Sequence, residues 1–76
     1  MHCLYEEYLA VYREGRRAVE QGDSELLGNL RGSISRHPER KAMLLAYDDA
    51  VHGLPPRGRV HFCRMHLGAA CTNCLA

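Results

Sequence analysis

Apolar side chains recur at helical spacing along most of this chain. Leu4, Tyr8, Val11, Tyr12 and Val19 fall three, four or seven positions apart, with Glu6, Glu7, Arg13, Glu14, Arg17 and Glu20 between them. This predicts an amphipathic helix from about His2 to Gln21, ended by Gly22, with Asp23 or Ser24 capping the next. Gly15 weakens the middle of the first helix by about 1 kcal/mol relative to alanine, so a close helix contact is expected there. A second helix is predicted over Ser24–Ser35, with Leu26, Leu27, Leu30 and Ile34 as its apolar stripe. Gly28 and Gly32 share one of its faces and would admit a close neighbour. Pro38 suits the first turn of a third helix, which runs to about His52, buries Met43, Leu44, Tyr47, Ala50 and Val51, and stops at Gly53.

Pro55, Pro56 and Gly58 break the pattern. Val60, His61 and Phe62 read as a brief extended stretch beyond them. The expected organisation is one domain over residues 1–76: a helical body (1–53), a Pro/Gly elbow (54–59) and a metal-binding tail (60–76). The fold class is all-α, three helices with a C-terminal zinc knuckle docked through Val60, Phe62, Met65 and Leu67.

The knuckle rests on spacing. Cys63, His66, Cys71 and Cys74 form the pattern C-x2-H-x4-C-x2-C. Two ligand pairs, each two residues apart, are how short loops aim four side chains at one tetrahedral ion, with zinc the foremost candidate. Gly68, Ala69 and Ala70 supply a spacer without bulky side chains. The fourth ligand is open to substitution, because Cys3, His2 and His61 are also available. Cys3 otherwise reads as a small buried residue at the start of the first helix. An iron–sulfur cluster would need Cys3 beside Cys63, Cys71 and Cys74, and these spacings match no common cluster pattern. His37 and His52 lie at helix boundaries and read as surface or capping residues. The four tyrosines, Tyr5, Tyr8, Tyr12 and Tyr47, read as core or interface residues with their hydroxyls at the edge.

Size makes a metal useful. In a chain of 76 residues, a hydrophobic core alone supplies only about 3–5 kcal/mol. No apolar run is long enough to span a membrane, and the opening residues lack a basic-then-apolar leader. A reducing cytoplasm is therefore expected, where cysteines favour metal over disulfides. Charge is uneven: residues 1–50 carry nine acidic and seven basic side chains, whereas residues 51–76 carry Arg57, Arg59 and Arg64 and no acid. That is a thin footprint for nucleic acid, which favours a dense basic stripe.

Catalytic signatures are absent. There is no phosphate-cradling glycine loop and no H-E-x-x-H. Asp48 and Asp49 point about 100° apart on a helix and make poor co-ligands. Four closely packed ligands suit a closed structural site, so no enzymatic activity is expected.

The segment from Met65 to Ala76, with the opening Cys3-Leu4-Tyr5-Glu6-Glu7-Tyr8-Leu9, resembles zinc-containing anti-sigma domains. Their signature is H-x3-C-x2-C with an early residue as the remaining ligand. Here four residues separate His66 from Cys71, and Cys63 has no counterpart. The resemblance implies Cys3, His66, Cys71 and Cys74 as ligands and a helical bundle that clamps a sigma factor away from RNA polymerase. The expected function is protein binding within bacterial or phage transcription machinery. The alternatives are nucleic-acid binding by the basic knuckle, and a redox sensor in which oxidation of Cys71 and Cys74 ejects zinc.

Overall fold

The computed structural model describes residues 3–67 and 71–75. Among these the chain is all-α: α1 (Tyr5–Gln21), α2 (Ser24–Ser35), α3 (Arg40–Val51), α4 (Arg59–His66) and a single turn, α5 (Thr72–Leu75). The three helices of the body lie where the periodicity puts them, although α3 begins at Arg40 with Glu39 as its N-cap, so Pro38 stands in the preceding turn and not in the first turn of the helix. His2, at the expected start of the first helix, and the Gly68–Ala70 spacer lie outside the described residues.

Local signals explain the boundaries. Gly22 and Gly53 are the glycines with positive φ, at 64° and 72°, and each ends a helix in the left-handed conformation open to glycine. After Gly22, the Asp23 amide donates back to the Ala18 carbonyl at 2.9 Å. The Asp23 carboxylate then accepts from the Leu26 amide at 2.9 Å, capping α2.

α1 packs chiefly on α3. Small residues allow the approach: Ala18, Ala42, Ala46 and Ala50 are buried, and a Cβ on Gly15 would meet that of Ala50 at 2.7 Å. The close contact expected at Gly15 is therefore present. None forms at Gly28, where a Cβ would meet nothing within 4 Å, nor at Gly32, whose nearest neighbour is the tip of Arg36. These two glycines do not receive a helix.

Two further expectations fail together. Val60–Phe62 is helical, not extended, as part of α4. Helical geometry then turns Phe62 and Cys63 into the core, while Val60 and Met65 remain 46% and 51% exposed. The tail docks through Phe62 with Leu67 partly buried beside it, and not through Val60 or Met65. On α3, Val51 is also exposed, and Ala46 and Asp49 occupy the inward positions with Met43 and Ala50.

The elbow is gripped by α1. Tyr5 donates to the Arg57 carbonyl at 2.6 Å. Tyr12 donates to the Leu54 carbonyl at 2.6 Å. Tyr8, fully buried between them, accepts from the Arg57 amide at 3.0 Å and donates to the Asp49 carboxylate at 2.7 Å. The Arg57 guanidinium closes the network on the same Asp49 oxygen at 3.1 Å. The hydroxyls of Tyr5, Tyr8 and Tyr12 are thus the clasp that aims α4, and with it Cys63, at the start of α1.

Candidate metal centre

Three segments supply four thiols. Cys3 immediately precedes α1, Cys63 lies on the inward face of α4, and Cys71 and Cys74 flank and occupy the α5 turn. The four Sγ atoms lie within 4.8 Å of one another. Cys3 stands 3.7 Å from Cys63, 3.4 Å from Cys74 and 3.7 Å from Cys71. All four are free of disulfides. Thiolates at about 2.3 Å from one tetrahedral ion would be about 3.8 Å apart, so these separations match the edges of such a site. A cluster with thiolates on different irons would hold them farther apart. The four thiols can hold a single metal ion.

The structure gathers Cys63, Cys71 and Cys74 as the spacing indicates, and brings Cys3 to them in the place expected for His66. His66 stands outside this group. Its ring lies 4.9 Å from that of Phe62, four residues earlier on the inward side of α4, and its buried Nε2 has no partner among the described residues. Burial, and then the Arg57 charge, lower its pKa below the ordinary histidine value. His61 is exposed, with Nε2 3.4 Å from the Arg57 guanidinium. His37 pairs with Glu7 at 3.3 Å, and His52 Nδ1 lies 2.7 Å from the Asp48 carbonyl. None of these joins the thiols.

The surroundings of the thiols differ. Cys63 and Cys71 are buried in continuity with Leu4, Tyr5, Tyr8 and Phe62; Cys3 and Cys74 are half-buried. Burial, and then the neighbouring thiols, push the Cys63 pKa well up. At Cys3 the Tyr5 amide, and more weakly Cys63, favour the thiolate, but burial and the Cys74 and Cys71 thiols outweigh them and leave the pKa raised. Cys74 goes the other way: the Arg59 guanidinium beside it lowers its pKa to about 7. Thiolates at these distances repel, so joint ionisation of the cluster requires a cation among them.

No protein-family model matches the chain, and neither a curated protein nor a solved structure matches it.

Proposed function

We propose that Cys3, Cys63, Cys71 and Cys74 hold one structural zinc ion, which fastens both ends of the described chain to the helical body, and that the protein binds another protein. The observation that carries the metal reading is the packing of four Sγ atoms within 4.8 Å of one another. An all-thiolate tetrahedral set favours zinc over hard cations, and a set complete in protein ligands leaves no position for substrate. The reading therefore assigns the site a structural role and no reaction.

The outward face of α4 supports the binding role. Val60, His61, Arg64 and Met65 are all exposed there, beside the exposed Leu54 of the elbow. With no acidic residue after position 50, the face suits an apolar surface rimmed by acids on a protein partner. The anti-sigma resemblance makes a sigma factor or RNA polymerase the partner of choice, although its ligand set differs from this one: it includes Cys3 but also His66, and omits Cys63. Nucleic acid is a poorer fit, because Arg57 is engaged by Asp49 and Arg59 by Glu6 and Cys74, leaving the exposed Arg64.

Metal analysis of protein purified under reducing conditions tests the first half. One zinc per chain is expected in the wild type and in His66→Ala, with loss of stable binding in Cys3→Ser and Cys63→Ser. Retention by Cys3→Ser with loss by His66→Ala would overturn the four-thiolate set, and iron in place of zinc would reassign the ion. For the partner, capture on the zinc-loaded protein from its native host should recover sigma factor or polymerase. Recovery of nucleic acid alone would remove the protein-binding reading.

A further inference from the structure

A four-thiolate site holding a divalent ion carries a formal charge of −2, and its stability depends on donors outside the ligand set. The buried thiols Cys63 and Cys71 are walled by the core. Cys3 and Cys74 are half-buried, and Cys74 belongs to a single helical turn. Among the described residues, Arg59 is the cation in contact with a cluster sulfur, its Nη1 lying 3.6 Å from Cys74 Sγ. Its other terminal nitrogen pairs with the Glu6 carboxylate, and its guanidinium lies 4.8 Å from the centre of the Tyr5 ring. Tyr5 and Glu6 follow Cys3 closely in the chain. One side chain thus bridges the segment carrying Cys3 and the turn carrying Cys74.

We infer that Arg59 is a positioning residue of the metal centre, bracing the Cys74 thiolate and thereby setting how readily the site gives up its ion. The inference rests on the zinc reading above. A thiolate that accepts an N–H bond from a fixed cation is less nucleophilic, and Arg59 is anchored by the Glu6 carboxylate and the Tyr5 ring. Without that brace, Cys74 is the ligand that detaches first, because it is half-buried and sits on a single helical turn. Neighbouring arginines do not substitute: Arg57 is committed to Asp49, and Arg64, exposed and turned about 100° from Cys63 around α4, makes no contact with a cluster sulfur among the described residues.

The test compares Arg59→Gln, Arg59→Lys, Glu6→Gln and Arg64→Gln in zinc-loaded full-length protein. Two readouts are used, competition with a chromogenic zinc chelator and the sulfur-to-metal charge-transfer band of the cobalt(II) form. Arg59→Gln is expected to weaken zinc retention about 10–100-fold, the range typical for loss of an outer partner of a metal ligand. It should also move the cobalt band to longer wavelength, because a sulfur without its hydrogen bond gives up electron density more easily. Arg59→Lys should restore part of both effects, and Glu6→Gln should produce a smaller change of the same sign. Arg64→Gln, with the same loss of charge, should leave both readouts at wild-type values. Matching behaviour of Arg59→Gln and Arg64→Gln, or an unmoved band in Arg59→Gln, would overturn the inference while leaving the zinc site standing. Failure of the wild type to bind one metal ion per chain would instead remove the site itself. Should Arg59→Gln lose its helical signal, the Lys and Glu6 variants still decide the matter through the cobalt band.

Discussion

Among the described residues, Asp49 is the buried charged side chain, 3% exposed. It accepts hydrogen bonds from Tyr8 and from Arg57, so the buried charge is matched by a cation and a hydroxyl. Removing one partner of such a group leaves the others unpaired, which costs more than the net value of the pair. Asp49→Ala should therefore destabilise the protein by about 3–5 kcal/mol, measured by urea unfolding. Tyr8→Phe should cost about 1–3 kcal/mol by leaving the Arg57 amide without its acceptor. Tyr12→Phe, at an exposed bond to Leu54, should cost about 1 kcal/mol or less. Equal losses for the two tyrosines would contradict a buried network centred on Tyr8. Burial, together with Asp49, also pushes the Tyr8 pKa up to about 12. A phenol raised in this way contributes stability that is fully present below its unfolded pKa of about 10 and disappears as pH climbs through the folded value. Wild-type stability should accordingly fall between about pH 10 and 12, and Tyr8→Phe should flatten that part of the profile.

Helix contacts make their own demands. Gly15 is a poor helix former placed where α1 meets α3, and a methyl there would sit 2.7 Å from Ala50 Cβ. Gly15→Ala gains about 1 kcal/mol of helix propensity but overpacks at a cost of about 1–3 kcal/mol. The expected result is a lower melting temperature, with Ala50→Gly added as a second change restoring much of the loss. Additive effects in that double-mutant cycle would deny the contact. This contact was legible in the sequence because a glycine inside a strongly amphipathic helix needs a packing reason. So were the three body helices, whose stripes, caps and terminating glycines agree with one another. α4 was not, because Val60-His61-Phe62 follows two prolines and is too short to display a period. Reading it as extended put Val60 and Met65 inward and treated Cys63 and His66 as a loop pair. On a helix, two residues three apart diverge by about 60°, so Cys63 faces the thiols while His66 lies against Phe62. Cys71 and Cys74 were recoverable from their spacing. Cys3 was legible as a possible substitute ligand and through the anti-sigma resemblance, but its place beside Cys63 depends on a long-range return of the tail that no local pattern encodes. The buried Asp49 was equally hidden, since its partners Tyr8 and Arg57 come from distant segments.

For the molecule as a whole, the four-thiolate zinc reading divides the labour between an ion and the core. One core runs from α1, α2 and α3 into Phe62 and Cys63 of α4 and on to Cys71, while α5 packs on α4 and brings Cys74 to Cys3. An ion that binds only when these segments converge adds its binding free energy to folding. Chelation should lower the melting temperature, by about 4–8 °C for each kcal/mol lost in a domain of this size. It should also release segments unevenly: amides of α4 and α5 should exchange with solvent before those of α1 and α3. Simultaneous exchange throughout would mean that the thiol group holds the body together and not merely the tail. The outward face of α4 gives a complementary test. Val60→Glu with Met65→Glu should preserve metal content and helicity, since both side chains are exposed, yet abolish capture of a protein partner. Unimpaired capture would place the binding surface elsewhere.

The thiol group joins the third residue of the chain to positions sixty and more residues later. This is a high-contact-order closure, formed only after an entropic search that local helices do not face. During synthesis Cys3 emerges first, and α1 to α3 form from near neighbours while it has no companions. Four thiols can surround an ion only once Cys74 has joined the other three, so capture of an ion would follow the helices in the order of assembly. Until then Cys3 remains a thiol without companions, sixty and more residues from the partners it meets in the folded chain.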